Sequence, residues 1–201
     1  RKESSAASDV YKRQSYVILP NWESANLHQN IRSNLIANYN FLYYIYARLL
    51  KNEVNETDYK LARKEVFIRM AEITSTFQRM ISEPKGKQVI VKDLNQFTIL
   101  NHMFTSYATG IKSILKQNHG YELTEDQIKI IRKTLAQILQ TIRLFEPYNN
   151  QLKYSQIEIN IPLVEEMKTD QESQAVNDLI ENMYDISNDY HRITKRILAA
   201  K

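Results

Sequence analysis

An all-α fold, an antiparallel helical bundle of about five long helices, is what this sequence predicts, and three observations predict it. Apolar residues recur at three- and four-residue steps over five separate segments, each long enough for about seven helical turns. Only 3 Gly and 4 Pro occur in 201 residues, which leaves few places for tight turns. Polar breaks and helix-start signals fall between the periodic segments, so each stripe belongs to its own helix.

The first helix follows Tyr16–Glu23, YVILPNWE, with Asn21 as its expected N-cap and Trp22 just inside. Its stripe is Leu27, Ile31, Leu35, Tyr39, Leu42, Tyr46 and Leu49, and it ends near Asn52. The second spans Tyr59–Pro84 and is entered through VNETD, where Asn55 or Thr57 can cap. Tyr59, Ala62, Val66, Met70, Ile73, Phe77 and Met80 form one continuous apolar face, opposite Lys60, Arg63, Lys64, Glu65, Arg69, Glu72 and Arg79. Pro84 ends it, lacking an N–H and clashing with the preceding turn.

After Lys85-Gly86 a third stripe runs through Ile90, Leu94, Phe97, Phe104, Ala108, Ile111 and Leu115, with Asn101 in the same register. Gly120 is placed to terminate it in a left-handed conformation. The fourth helix opens on a capping box, Thr124 to Gln127, continues through Ile128, Ile131, Leu135, Ile138, Ile142 and Phe145, and stops at Pro147. Residues 148–168 form an irregular linker. Its QIEINIP alternates like a strand, but Pro162 argues against a central one. A second capping box, Thr169 to Glu172, opens the last helix, whose seam is Val176, Leu179, Met183, Ile186, Tyr190, Ile193 and Ile197. Short connections make helices one to four up-down neighbours. The long break frees the fifth to cross the bundle.

The composition excludes several functional classes. With no cysteine there is no disulfide, thiolate zinc site or cysteine nucleophile, which fits a reducing cytoplasm. Hydrophobic residues make up 43% of the chain, enough for a core, and mean hydropathy is −0.50. No apolar run reaches the ~18–20 residues a membrane helix requires. The chain does not begin with Met, and RKESSAASDVYKRQ (1–14) resembles a translated sequencing-adaptor scar on a metagenomic fragment, expected to be non-native and disordered. That segment holds Arg1, Lys2, Lys12 and Arg13 against Glu3 and Asp9, half of the net charge of +4. What remains is too balanced for a nucleic-acid footprint.

Chemical motifs are absent. His28, His102, His119 and His191 lie in different segments, and none has Glu three residues before it, as a di-iron bundle requires. H-E-x-x-H and the glycine-rich phosphate loops are missing. No catalytic, cofactor-binding or metal-binding residue is assigned, and no enzyme is expected. The aromatic cluster splits: Tyr39, Tyr43 and Tyr46 lie on or beside the buried stripe, whereas Phe41 and Tyr44 point elsewhere, toward a partner or membrane surface. Asn101 reads as a core polar residue that sets helix register. Arg63, Lys64, Arg69 and Arg79, with Glu65 and Glu72, read as a solvated face, with docking to another subunit or to anionic headgroups as the alternative. Asn55-Glu56-Thr57 is a formal glycosylation sequon, and no role is assigned to it.

Several segments also resemble a known family in their order and spacing. YVILPNWE, YKLARKE, FQRMISEP and LNQFTILNHMFTSYATGI (Leu94–Ile111) are similar to the cytoplasmic half of YccS-like inner-membrane proteins, in the fusaric acid resistance (FUSC) exporter superfamily. The resemblance runs over most of 15–201. It implies that 15–22 is the end of a membrane junction and 23–201 a cytoplasmic helical-bundle domain. The parent would be a bacterial inner-membrane efflux transporter of aromatic acids or similar small molecules. The domain would serve assembly or regulation, with its own transmembrane region and other copies of the parent as partners and the membrane surface nearby. The residues alone leave another reading, a soluble helical interaction or adaptor module with no transport role.

Overall fold

The computed structural model describes residues 20–50, 54–81, 88–117, 123–145 and 171–200. They form five helices: α1 (Pro20–Leu49), α2 (Glu56–Ile81), α3 (Gln88–Gln117), α4 (Glu125–Arg143) and α5 (Gln171–Ala199). The 1–14 segment, the Pro84, Gly120 and Pro147 stops, the 148–168 linker and Thr169 lie outside the described residues.

Local chemistry accounts for the helix starts. Pro20 opens α1, where its missing N–H costs nothing, so Asn21 lies inside the helix and is not its N-cap. Asn55 Oδ1 accepts the Thr57 N–H at 2.9 Å at the start of α2. At α4 the capping box forms as expected. Gln127 N–H donates to Thr124 Oγ1 at 3.2 Å, and Thr124 N–H donates to Gln127 Oε1 at 3.0 Å. Such a cap contributes about 1 kcal/mol.

The helices close into a ring in the order α1–α2–α3–α5–α4, and α1 and α3 also touch across its middle. Long-range contacts give the directions. Asn30 meets Thr76 and Phe41 meets Tyr59, so α1 and α2 are antiparallel. His28 meets Phe145 and Tyr46 meets Arg132, so α1 and α4 are antiparallel too. Asp93 pairs with Arg196 and Asn101 with Tyr190, which sets α3 against α5. Gln127 bonds Asn177 and Thr141 meets His191, so α4 and α5 run parallel.

This specifies the expected topology at one point and corrects it at another. A ring of five cannot alternate direction all the way round, so one adjacent pair must be parallel. It is the pair joined by the longest connection, which alone can return the chain to the starting end. In addition, α3 and α4 are not close neighbours. The last helix sits between them because both stripes need cover, and the α5 seam is wide enough to serve both.

The core is one cluster, and most of the expected stripe residues are in it: Leu35, Val66, Ile73, Leu94, Phe97, Phe104, Leu135, Ile138, Val176 and Ile193 are completely buried. Leu49, Met70, Phe77, Ile90 and Leu179 are only half-buried, at stripe margins. Along α1 burial is broader than the stripe and takes in Arg32, Asn34, Ala37, Asn38, Phe41, Ile45 and Ala47. The reason is that α1 packs on three helices, α2, α4 and α3. Phe41, expected to face outward, is 1% exposed, its ring 5.9 Å from that of Tyr59. Periodicity locates the centre of a stripe, whereas the number of neighbours sets its width.

Candidate functional site

Three places carry polar chemistry. The most deeply buried lies where α1, α3 and α5 meet. Asn34 and Asn38, one turn apart on α1, face Asn101 of α3 and Tyr190 of α5, all with no exposed surface. Asn38 Nδ2 donates to Asn101 Oδ1 at 2.6 Å and to Asn34 Oδ1 at 3.2 Å. The Tyr190 hydroxyl donates to Asn101 Oδ1 at 3.3 Å. Its ring is packed between Phe97 and Phe104, with centroids at 5.0 and 5.8 Å. Burial pushes the Tyr190 phenol well above its usual range, so it stays a neutral donor. Asn101 thus has the geometry a register-setting polar residue requires. Asn34 and Asn38 were not singled out in the sequence, although two asparagines four apart beside an apolar stripe are a readable signal.

The second place is an open groove between α1 and α2, about 420 Å³ in volume, lined by Asn40, Tyr44, Asp58, Leu61, Ala62, Lys64, Glu65 and Ile68. Tyr44 is half-buried on its wall, 5.7 Å from the Tyr43 ring in edge-to-face contact. Desolvation, then Asp58, then Tyr43 raise its phenol above the ordinary value. Of the two aromatics expected to point away from the core, Tyr44 alone reaches the surface.

The third is the charged side of α2. Arg69 Nε lies 2.7 Å from Glu65, and its Nη1 lies 2.8 Å from Glu72. Its guanidinium is held charged chiefly by the Glu72 hydrogen bond, against burial and with Glu65 adding to it. Arg79 donates to Ser75 and Thr76. Arg63 lies over the Phe67 ring at 5.9 Å. At the helix start Glu56 meets Arg48 at 2.8 Å and Lys60 at 3.9 Å. Glu56, Glu65 and Glu72 are therefore engaged with particular bases, while Asp58 and Lys64 line the groove and Arg63 projects beside it.

The histidines do not converge. His28 stands edge-on to Phe145 at 6.5 Å, His191 Nδ1 lies 3.2 Å from Thr141 Oγ1, His102 is exposed, and His119 is outside the described residues. Among the described residues no group of three or more His, Asp or Glu is placed to hold a metal ion. Nor, among them, is any helix long and apolar enough to cross a membrane.

Comparison with known proteins adds one relationship. No protein-family model matches the chain, and no solved structure matches it. The inner membrane protein YccS of Escherichia coli (strain K12) is 30% identical over 111 residues, which is 55% of this chain and 15% of that protein. The chain thus spans about one seventh of its relative's length. It is a helical bundle distantly related, over about half of its own length, to an inner-membrane protein.

Proposed function

We propose that this bundle is a cytoplasmic domain of a YccS-like, FUSC-type bacterial inner-membrane protein, and that it serves assembly or regulation of the membrane-spanning part and not catalysis. The observation that carries the reading is the 111-residue similarity to an inner membrane protein. The fold supports it. The core is filled by the chain's own helices, and its central polar groups bond chiefly to one another. Such a bundle is suited to hold its shape while another element does the work. Transport of aromatic acids or similar small molecules belongs to the parent in this reading, since no helix among the described residues provides a path through a bilayer.

The complete gene, expressed with a C-terminal tag, tests this directly. The expected result is a product that stays with inner membranes through alkaline carbonate washing and whose bundle is cut by protease only in inverted vesicles. A product that is fully soluble would sink the proposal and favour the adaptor reading. Cleavage in right-side-out spheroplasts would overturn the sidedness.

A further inference from the structure

Four buried polar atoms where α1 meets α3 have no hydrogen-bond partner among the described residues: Asn34 Nδ2, Asn38 Oδ1, Asn101 Nδ2 and Thr105 Oγ1. Asn34, Asn38 and Asn101 have no exposed surface, and Thr105 has 3%. Asn34 and Asn38 are one turn apart on α1, as Asn101 and Thr105 are on α3. Turning the amides over does not remove the deficit. Asn38 Nδ2 already donates to Asn101 Oδ1 and to Asn34 Oδ1. Exchanging N for O in all three amides keeps these contacts with the donors reversed, and leaves the opposite three ends without partners. The Thr105 hydroxyl also departs from its neighbours. Thr98 and Thr109 donate back to their own helix, at Leu94 O and Thr105 O, whereas Thr105 makes no such bond.

We propose that ordered internal water is bound at this α1–α3 crossing, accepting from Asn34 Nδ2 and Asn101 Nδ2 and donating to Asn38 Oδ1, with Thr105 Oγ1 at its edge. Chemistry selects this guest. The orphan atoms are two amide donors, one amide acceptor and a hydroxyl, so the guest must both donate and accept. All four groups are neutral, and an ion buried among them would have no opposite charge to offset its lost hydration. Water meets both demands, and about three hydrogen bonds is the usual complement of a buried water. Side-chain size supplies the room. Asn34, Asn38, Asn101 and Thr105 are short, where the same stripes elsewhere carry Leu35, Leu42, Phe97 and Phe104. With water in place the crossing is held by a network of amides, each bonded at both ends. The site is a property of the bundle core, so it stands or falls independently of the membrane reading of the parent.

The test is a high-resolution crystal structure of the full chain, joined to oxygen-17 relaxation dispersion of the solvent, which registers water held inside a protein. Crystals are expected to show a water peak within about 2.7–3.2 Å of at least two of the orphan amide atoms. Asn38→Leu/Asn101→Leu is expected to lose the dispersion step of that long-lived water. Thr105→Val is expected to shorten its residence time roughly fivefold, the worth of one hydrogen bond. Thr98→Val is the matched control, because the Thr98 hydroxyl serves its own helix, and it is expected to leave the residence time unchanged. The two threonine variants keep the proposal testable if the double leucine variant does not fold. A dry crossing in the crystal, with the amides repacked against one another, would overturn the proposal. Equal dispersion in the wild type and the double leucine variant would do so too, as would equal residence times in the two threonine variants. An anomalous bromide peak at the amides, in crystals grown from bromide, would overturn it by making the site an anion site.

Discussion

Asn38 of α1 and Asn101 of α3 meet at 2.6 Å across the middle of the ring, and neither has any surface exposed to solvent. This contact ties together two helices that are not neighbours round the ring's edge. Both residues carry a second polar group nearby, Asn34 for Asn38 and the Tyr190 hydroxyl for Asn101. A slip of α1 along α3 by one turn would bury these amides against hydrocarbon, at a cost of several kcal/mol. The pair therefore restricts the register of a core that apolar packing alone would leave more permissive.

Removing one amide should accordingly hurt more than removing both. Asn38→Leu or Asn101→Leu alone leaves a buried partner short of a bond and is expected to destabilise by about 2–3 kcal/mol. The double leucine variant is expected to lose clearly less than the sum. Urea unfolding of the four proteins measures the coupling. Strict additivity would show that the two amides do not act as a unit.

A second contact locks the start of α3 to the end of α5. Arg196 donates to Asp93 Oδ1 from Nη2 at 2.7 Å and from Nε at 3.0 Å. Asp93 is only 8% exposed, and Arg196 lies in the last turn of α5, where its charge suits the helix dipole. Arg196→Ala is expected to lower the urea midpoint, because it strands a largely buried carboxylate. Adding Asp93→Asn to that variant should recover part of the loss. A single variant as stable as the parent would show the pair to be idle.

Acid should weaken the fold before the carboxylates titrate. Burial lowers the His28 pKa from 6.5, and burial and then Lys195 lower that of His191. The unfolded chain therefore takes up protons near pH 6.5 that the folded chain refuses. Stability is complete above that value and is lost as pH falls from 6.5 toward the depressed folded-state values. Urea midpoints are expected to drop modestly over this window, and His28→Gln/His191→Gln should flatten the slope. A slope unchanged in the double variant would assign it to other groups.

One substitution is expected to stabilise. A Cβ on Gly110 would stand 3.4 Å from Leu179 Cδ1, an ordinary van der Waals contact. Gly110→Ala should gain about 0.5–1 kcal/mol by restricting the unfolded chain, raising Tm by about 1–4 °C. Gly110→Val adds bulk toward Leu179 together with a weaker helix former, and should lose that gain. A lower Tm for the alanine variant would mean the α3–α5 approach has no room to give.

How much of this was legible beforehand depends on the kind of interaction. The α4 cap was readable because Thr124 and Gln127 satisfy each other within a single turn. The α1 entry was not: Asn21 looks like a cap in isolation, but Pro20 already occupies a helical position. Asn101 stood out as a polar residue on an apolar stripe. Its partner Asn38 could not be identified, since nothing local links positions 63 residues apart. The burial of Phe41 is hidden for a related reason, because a single stripe does not reveal how many helices surround it.

The sequence by itself determined that the chain is helical, where its five helices lie, and which residues form the centre of each buried stripe. Those properties follow from backbone hydrogen bonding within a segment and from a 3.6-residue period, both local. Only the tertiary structure decided that α5 inserts between α3 and α4, that α4 and α5 run parallel, and that Asn38 finds Asn101. These depend on closing five stripes around one core, a constraint on the whole set of helices that no segment carries alone.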